Sequence, residues 1–290
     1  MSSPTARLLI LTTALLFSTG GTAIKATELS SWQVAGTRSG IAAVVLFVLL
    51  PGWRRFWQPR TLLVGVAYAA TMILFVLGNK LTTAANTIFL QATAPLYLLW
   101  LAPWLLGERI RRSDLALTAA IVAGIALLFI GIDPPLRTAP DPLRGNLAAA
   151  VAGFTWAVTI LGLRWLGRTG KTGAPDAAGA AVVAGNVIVT LLCLPWALPV
   201  GDVRLLDGSI LLYLGTFQIG LAYVCMTRGM RSLPALETSL LLLLEPVAST
   251  VLAWLVHGER PGAWSVTGCS IILAATLSKI LLGARRVPEG

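Results

Sequence analysis

The sequence predicts an all-α integral membrane protein of ten transmembrane helices, built as two inverted-topology five-helix repeats. Three observations carry that prediction. Apolar stretches of about 20 residues, each long enough to cross a hydrocarbon core of about 30 Å, follow one another along the whole 290-residue chain. Hydrophobic residues make up 56% of it and charged residues only 12%, against roughly 25% charged in soluble domains. The third observation is an internal duplication. Residues 84–109 recur in outline at 235–260, each stretch broken by a proline (Pro95, Pro246) and each ending in Gly-Glu-Arg, at Gly107-Glu108-Arg109 and Gly258-Glu259-Arg260. The spacing from proline to glutamate is 13 residues both times.

The first repeat, residues 1–132, holds spans at 7–27, 33–51, 61–80, 84–106 and 113–132. Arg7 and the apolar residues after it resemble the start of a signal peptide, but the apolar character runs past residue 20 and predicts a retained span. Ser18-Thr19-Gly20-Gly21-Thr22 interrupts that span with weak helix formers. It reads either as a hinge whose bare amides meet a substrate carboxylate, or as a seam of close helix packing. Ala116, Ala120 and Gly124 repeat every fourth residue in span 5, a packing stripe or a dimer seam. Residues 133–144 carry four prolines and form an extended linker. The second repeat, residues 145–284, holds spans at 145–165, 177–199, 208–228, 234–256 and 262–283, with a Gly-rich connection at 167–176 and a tail at 285–290.

The formal charge of +10 is a topology signal. With the N-terminus inside, the inner loops receive Arg7, Arg54, Arg55, Arg60, Arg109, Arg111, Arg112, Arg164, Arg168, Lys171, Arg228, Arg231, Arg285 and Arg286, fourteen in all. The outer loops receive five: Lys80, Arg137, Arg144, Arg204 and Arg260. This positive-inside bias places both termini in the cytoplasm of a bacterial-type inner membrane and argues against nucleic acid as partner. Five spans per repeat is an odd number, so the second repeat inserts upside down. Such repeats offer two near-equal conformations around a midplane site, the architecture of secondary transporters.

Polar groups at span centres are costly in lipid and mark cavities or partners. Glu245, directly before Pro246 at the middle of span 9, is the foremost. It reads either as a cavity carboxylate for a substrate ammonium or coupling proton, or as a protonated carboxyl capping carbonyls that Pro246 leaves free. Gln91 lies one turn before Pro95; Thr155 and Trp156 occupy the middle of span 6, and Gln218 and Tyr223 span 8. Each is a candidate for the cavity, with interhelical hydrogen bonding as the alternative; for Asn186 in span 7 that bonding is the favoured reading. Trp156 sits too deep for the interfacial belt that accounts for Trp32, Trp53, Trp57, Trp104 and Trp264, and its ring suits stacking on an apolar or aromatic side chain. The three cysteines and single histidine form no metal-ligand spacing, no nucleotide fingerprint is present, and no cofactor is expected.

Ala84-Ala85-Asn86, Pro95, Gly107-Glu108-Arg109 and Gly124, with Ala235-Leu236-Glu237, Pro246 and Gly258-Glu259-Arg260, together resemble the drug/metabolite transporter superfamily, EamA type. Lys25 ending span 1 and Arg38 opening span 2 also match it and are assigned to gating or flanking positions. Within the superfamily the chain is most similar to the aromatic amino-acid exporters. That resemblance implies a secondary transporter exporting small metabolites by alternating access. Amino acids with aromatic or large apolar side chains, such as phenylalanine and methionine, are the expected substrates, and the transporter acts as monomer or homodimer in membrane lipid. A broad-specificity drug/metabolite exporter is the alternative within transport. An integral-membrane enzyme acting on lipid-like substrates is the alternative outside it, though no cluster of paired acids or histidines supports one.

Overall fold

The computed structural model describes residues 3–50, 58–106, 112–132, 134–169, 176–198, 203–229, 232–233, 238 and 241–284. Among these the chain is helical, with no strand and one isolated bridge, Leu136 to Ala139, in the linker. The helices are α1 (Ser3–Ala26), α2 (Ser31–Leu49), α3 (Pro59–Leu81), α4 (Ala84–Gln91), α5 (Ala94–Leu106), α6 (Arg112–Ile130), α7 (Pro142–Thr169) and α8 (Asp176–Ala197). Then come α9 (Leu205–Tyr213), a π-helical segment (Leu214–Leu221), α10 (Ala222–Gly229), α11 (Leu244–His257) and α12 (Ala263–Ala284).

Local chemistry sets several boundaries. Ser30 and Gln33 form a capping box at α2, satisfying two amides that a helix start leaves free. Pro59 opens α3 and Pro142 opens α7, at the position where a missing N–H costs nothing. Helix α7 therefore starts inside the proline-rich linker and runs to Thr169, beyond the expected 145–165. The span with Pro95 is two helices: α4 ends at Gln91, Ala92 and Thr93 turn, and α5 starts at Ala94. Leu243 makes the corresponding turn ahead of Pro246. Both expected interruptions are present. A further irregularity, absent from the sequence reading, is the π-helical segment in the middle of span 8. Of the two readings of residues 18–22 the structure has the close-packing one, and α1 runs unbroken through Gly20 and Gly21. Glycine weakens a helix only modestly, and packing against neighbours outweighs that cost here.

Packing follows a pseudo-two-fold pattern. Helix α2 packs on α8 and α6 on α12, each joining a span to its own repeat counterpart. The most extensive of the remaining contacts come in mirrored pairs. Helix α3 packs on α7 as α1 packs on α10; α1 packs on α11 as α4 packs on α7; α3 packs on α8 as α2 packs on the π-helical segment. At the α6/α12 crossing the backbones nearly touch: a Cβ on Gly124 would lie 2.9 Å from the Gly268 carbonyl oxygen, and one on Gly268 2.7 Å from that of Gly124. Gly124 is thus a packing residue within the chain; Ala116, on the same stripe, is exposed.

The outward surface is apolar, as a lipid-facing surface must be: Leu205, Val48, Ile130, Leu63 and Leu191 are all strongly exposed. Trp32 stacks on Trp196 at the Lys25 end, centroids 5.2 Å apart, and Arg60 covers the Trp165 ring at the other. These are the aromatic and basic anchors expected at two membrane interfaces.

Candidate functional site

The two halves are locked together at one end of the bundle. Lys25, one residue before the end of α1, places Nζ 2.9 Å from Glu259 Oε1, with both side chains 2% exposed. The contact is an ion pair rather than an aligned hydrogen bond. The ammonium also donates to the carbonyls of Thr82 and Thr138, so two of its three donors are directed at carbonyls and the charge itself is met by the carboxylate. Glu259 Oε2 accepts the Ala84 N–H at 2.9 Å. Ala84 is the first residue of α4, where free amides and the positive end of the helix dipole favour a carboxylate. Glu259 thus pairs across the two repeats and not with the neighbouring Arg260. Gly258, at φ +66, ends α11 in the left-handed conformation, and Glu259 beyond it is buried across the interface while Arg260 is exposed.

Further contacts reinforce this closure. His257 Nε2 lies 2.9 Å from the Thr22 carbonyl oxygen. Lys80 donates to the carbonyl and hydroxyl oxygens of Thr27. Arg204 joins Glu28 and Asp207, and Asp207 accepts the Glu28 N–H. Asn146 Oδ1 accepts from the Thr82 hydroxyl and the Asn86 amide, while its Nδ2 donates to the Leu128 carbonyl. Lys25, Lys80, Arg137, Arg204, His257 and Glu259 line a cavity of about 780 Å³ at this end. The exposed Arg204 pairs contribute little. The buried Lys25–Glu259 pair dominates, since removing one partner of such a pair costs about 3–5 kcal/mol.

Nearer the bundle centre the predicted residues divide into three sets. Tyr223 is buried, meeting Phe17 and Tyr68 edge to face with centroids 5.4 and 5.8 Å away. Tyr68 accepts a hydrogen bond from Asn186 Nδ2 at 3.2 Å, the interhelical bond expected of Asn186. Glu245 sits in the first turn of α11, half-buried, within electrostatic reach of the Tyr223 hydroxyl. The break before Pro246 thus sets a carboxylate at a positive helix end near mid-membrane. No hydrogen bond from Glu245 to a carbonyl is found among the described residues.

A second set is packed. Gln218 is buried against Gly20, where a Cβ would lie 2.8 Å from its Nε2. Gly21 lies against Asn79 and Ala84. With α1 continuous, the amides of Gly20 and Gly21 are not bared for a substrate, and the two glycines serve close packing. Thr155 accepts from Thr71 and donates to the Ala152 carbonyl, so it ties α7 to α3. The third set has free ends. Gln91, last residue of α4, packs its backbone on Gly153, and Trp156 is half-buried on α7. No ring contact or hydrogen bond of the Trp156 side chain occurs among the described residues. Arg38 is buried in α2 rather than flanking an opening. Glu108 and the segment 235–237 lie outside the described residues.

Residues 5–130 and 143–279 each match the EamA-like transporter family. The chain belongs to that family. It is a multi-pass membrane transporter, not an enzyme. It is 25% identical over 206 residues to the "Aromatic amino acid exporter YddG" of Ancylobacter novellus, covering 71% of this chain and 70% of that one. A crystal structure 22% identical to it superposes with a TM-score of 0.64 over 99% of this transporter and 100% of that chain, a likeness of fold.

Lys80, Thr22, Asn86, Asn146 and His257 were not anticipated as members of the closure. Their signal in the sequence is position alone: each polar residue falls at a span end on the side where Lys25 and Glu259 also fall. Tyr68 carried no signal, because a tyrosine within an apolar run looks like core.

Proposed function

We propose that this transporter exports amino acids with aromatic or large apolar side chains across a bacterial inner membrane by alternating access, with the Lys25 end outside. The buried Lys25–Glu259 pair carries this reading. It links the first span to the end of the ninth and shuts one end of the bundle, as one of two alternating conformations of an inverted-repeat transporter requires. The charge distribution along the sequence supports an outward Lys25 end and cytoplasmic termini.

The substrate class rests on the core chemistry and on the relative's name. Tyr223, Tyr68 and Phe17 pack together, Trp156 and Gln91 are half-buried, and Glu245 is a carboxylate for an ammonium. A charged side chain entering this core would lose hydration at a cost of several kcal/mol. Proteoliposomes loaded with labelled amino acids, with and without a pH gradient, test the reading. Phenylalanine and methionine should move well, aspartate and lysine poorly, and Trp156→Ala should weaken phenylalanine transport more than methionine transport. Efficient aspartate transport with phenylalanine ignored would reject it.

A further inference from the structure

The membrane interior holds a guanidinium with no anion beside it. Arg38 is 1% exposed. Its Nη2 donates to the Met72 carbonyl at 3.3 Å and lies 3.9 Å from Met72 Sδ. The guanidinium carbon sits 5.9 Å from the Phe75 ring centroid, and Nε is buried with no hydrogen-bond partner. Among the described residues no carboxylate pairs with it. Lys25 shows the contrast: that cation has a carboxylate and two carbonyls. An arginine stays charged, and a buried charge without a counter-charge is strongly unfavourable. One backbone carbonyl and one ring face do not neutralise it.

The surroundings indicate what the missing anion is. Arg38 interacts electrostatically with both Tyr68 and Tyr223, and Tyr223 with Glu245. Arg38, from the first repeat, thus acts on both tyrosines and Glu245, from the second, on Tyr223 alone, while the two rings pack with centroids 5.8 Å apart. Tyr68 accepts from Asn186 and its hydroxyl also interacts with that of Tyr223, so one hydroxyl proton of the pair is left to donate. A zwitterion carries the matching charges. Helix α1 offers no bare amides at Gly20 and Gly21, so a carboxylate needs another partner.

We propose that Arg38, with the Tyr68 hydroxyl, is the binding site for the carboxylate of the transported amino acid, while Glu245 takes its ammonium. The site rests on the amino-acid reading above. It assigns Arg38 to substrate recognition, in place of the gating or flanking position implied by resemblance.

The test is equilibrium binding to the purified full-length transporter in nanodiscs, using labelled phenylalanine with phenethylamine and 3-phenylpropionate as competitors. In the wild type, phenethylamine, which lacks the carboxylate, should bind at least roughly tenfold more weakly than phenylalanine. Arg38→Gln should weaken phenylalanine by at least roughly tenfold, abolish 3-phenylpropionate competition and leave phenethylamine within about twofold. Arg38→Lys should recover part of the loss. Equal weakening of all three ligands by Arg38→Gln would make Arg38 a packing residue and overturn the site. Should Arg38→Gln fail to fold, the wild-type comparison decides alone, and phenethylamine binding as tightly as phenylalanine overturns the proposal. If the wild type binds neither phenylalanine nor methionine, the amino-acid reading falls and the site with it. Phenylalanine binding that is indifferent to Arg38 rejects the site and leaves that reading standing.

Discussion

Glu245 and Glu108 differ in setting although both lie near the helical spans of their repeats. Glu245 occupies the first turn of α11, half-buried and within electrostatic reach of Tyr223, whereas Glu108 stands in the sequence among the basic residues Arg109, Arg111 and Arg112. Glu245→Gln keeps the shape and removes the charge. It should lower phenylalanine export on the order of tenfold, measured by efflux from cells or vesicles, with Glu108→Gln near wild type. Unchanged export by the Glu245 variant at every pH would leave that carboxyl a structural role only. At the closed end, the Lys25–Glu259 pair is buried, and each partner makes further hydrogen bonds to the backbone. Breaking it by Glu259→Gln should destabilise the closed state by about 3 kcal/mol, a population shift on the order of a hundredfold. A cysteine placed at Thr22, in a background lacking Cys193, Cys225 and Cys269, should then react much faster with an impermeant maleimide. Unchanged labelling would show that the pair does not hold the gate.

Among the elements, the helix interruptions and the helix crossings were legible to different degrees. Pro95 and Pro246 announced their breaks, because a proline removes a backbone donor and crowds the preceding turn whatever surrounds it. The π-helical segment was hidden, since Leu214 to Leu221, which pack on α2, read as any apolar helix. Gly20 and Gly21 left hinge and close packing open, and the close approach of Gln218 and Asn79 to a continuous α1 decides for packing. Of the site, Glu245 and Tyr223 were visible as polar groups in apolar runs. The role of Glu259 was not, because its partners come from spans one and four. These packing assignments are testable. A Cβ at Gly124 meets a backbone carbonyl at 2.9 Å, while at Gly20 it meets only the movable end of Gln218. Gly124→Ala should cost about 1–3 kcal/mol and Gly20→Ala clearly less, read as shifts in thermal unfolding in detergent. A larger loss at Gly20 would contradict this ranking.

At the scale of the whole molecule, the mirrored packing of α3 on α7 and α1 on α10, or α1 on α11 and α4 on α7, belongs to two repeats inserted in opposite senses. Cysteines introduced at 108–112 should label from the cytoplasm and those at 257–261 from outside. Finding both loops on one side would end the inverted-repeat account. The two ends need not be equally strong. Arg168 stands one residue from the end of α7 as Lys25 does in α1, but a planar guanidinium takes the place of the compact ammonium there, so the two ends are not chemically equivalent.

The closure also constrains how the chain is made. Thr22 and His257 meet although 235 residues separate them, and Lys25 and Glu259 meet alongside. At about 5–20 residues per second, the ribosome needs roughly 10–50 s between making the first partner and the last. Throughout that interval Lys25 has no carboxylate to meet. Its place one residue from the end of α1 answers this difficulty, because a long lysine side chain there reaches the polar headgroups unaided. The same charge near mid-membrane would have had to wait in hydrocarbon.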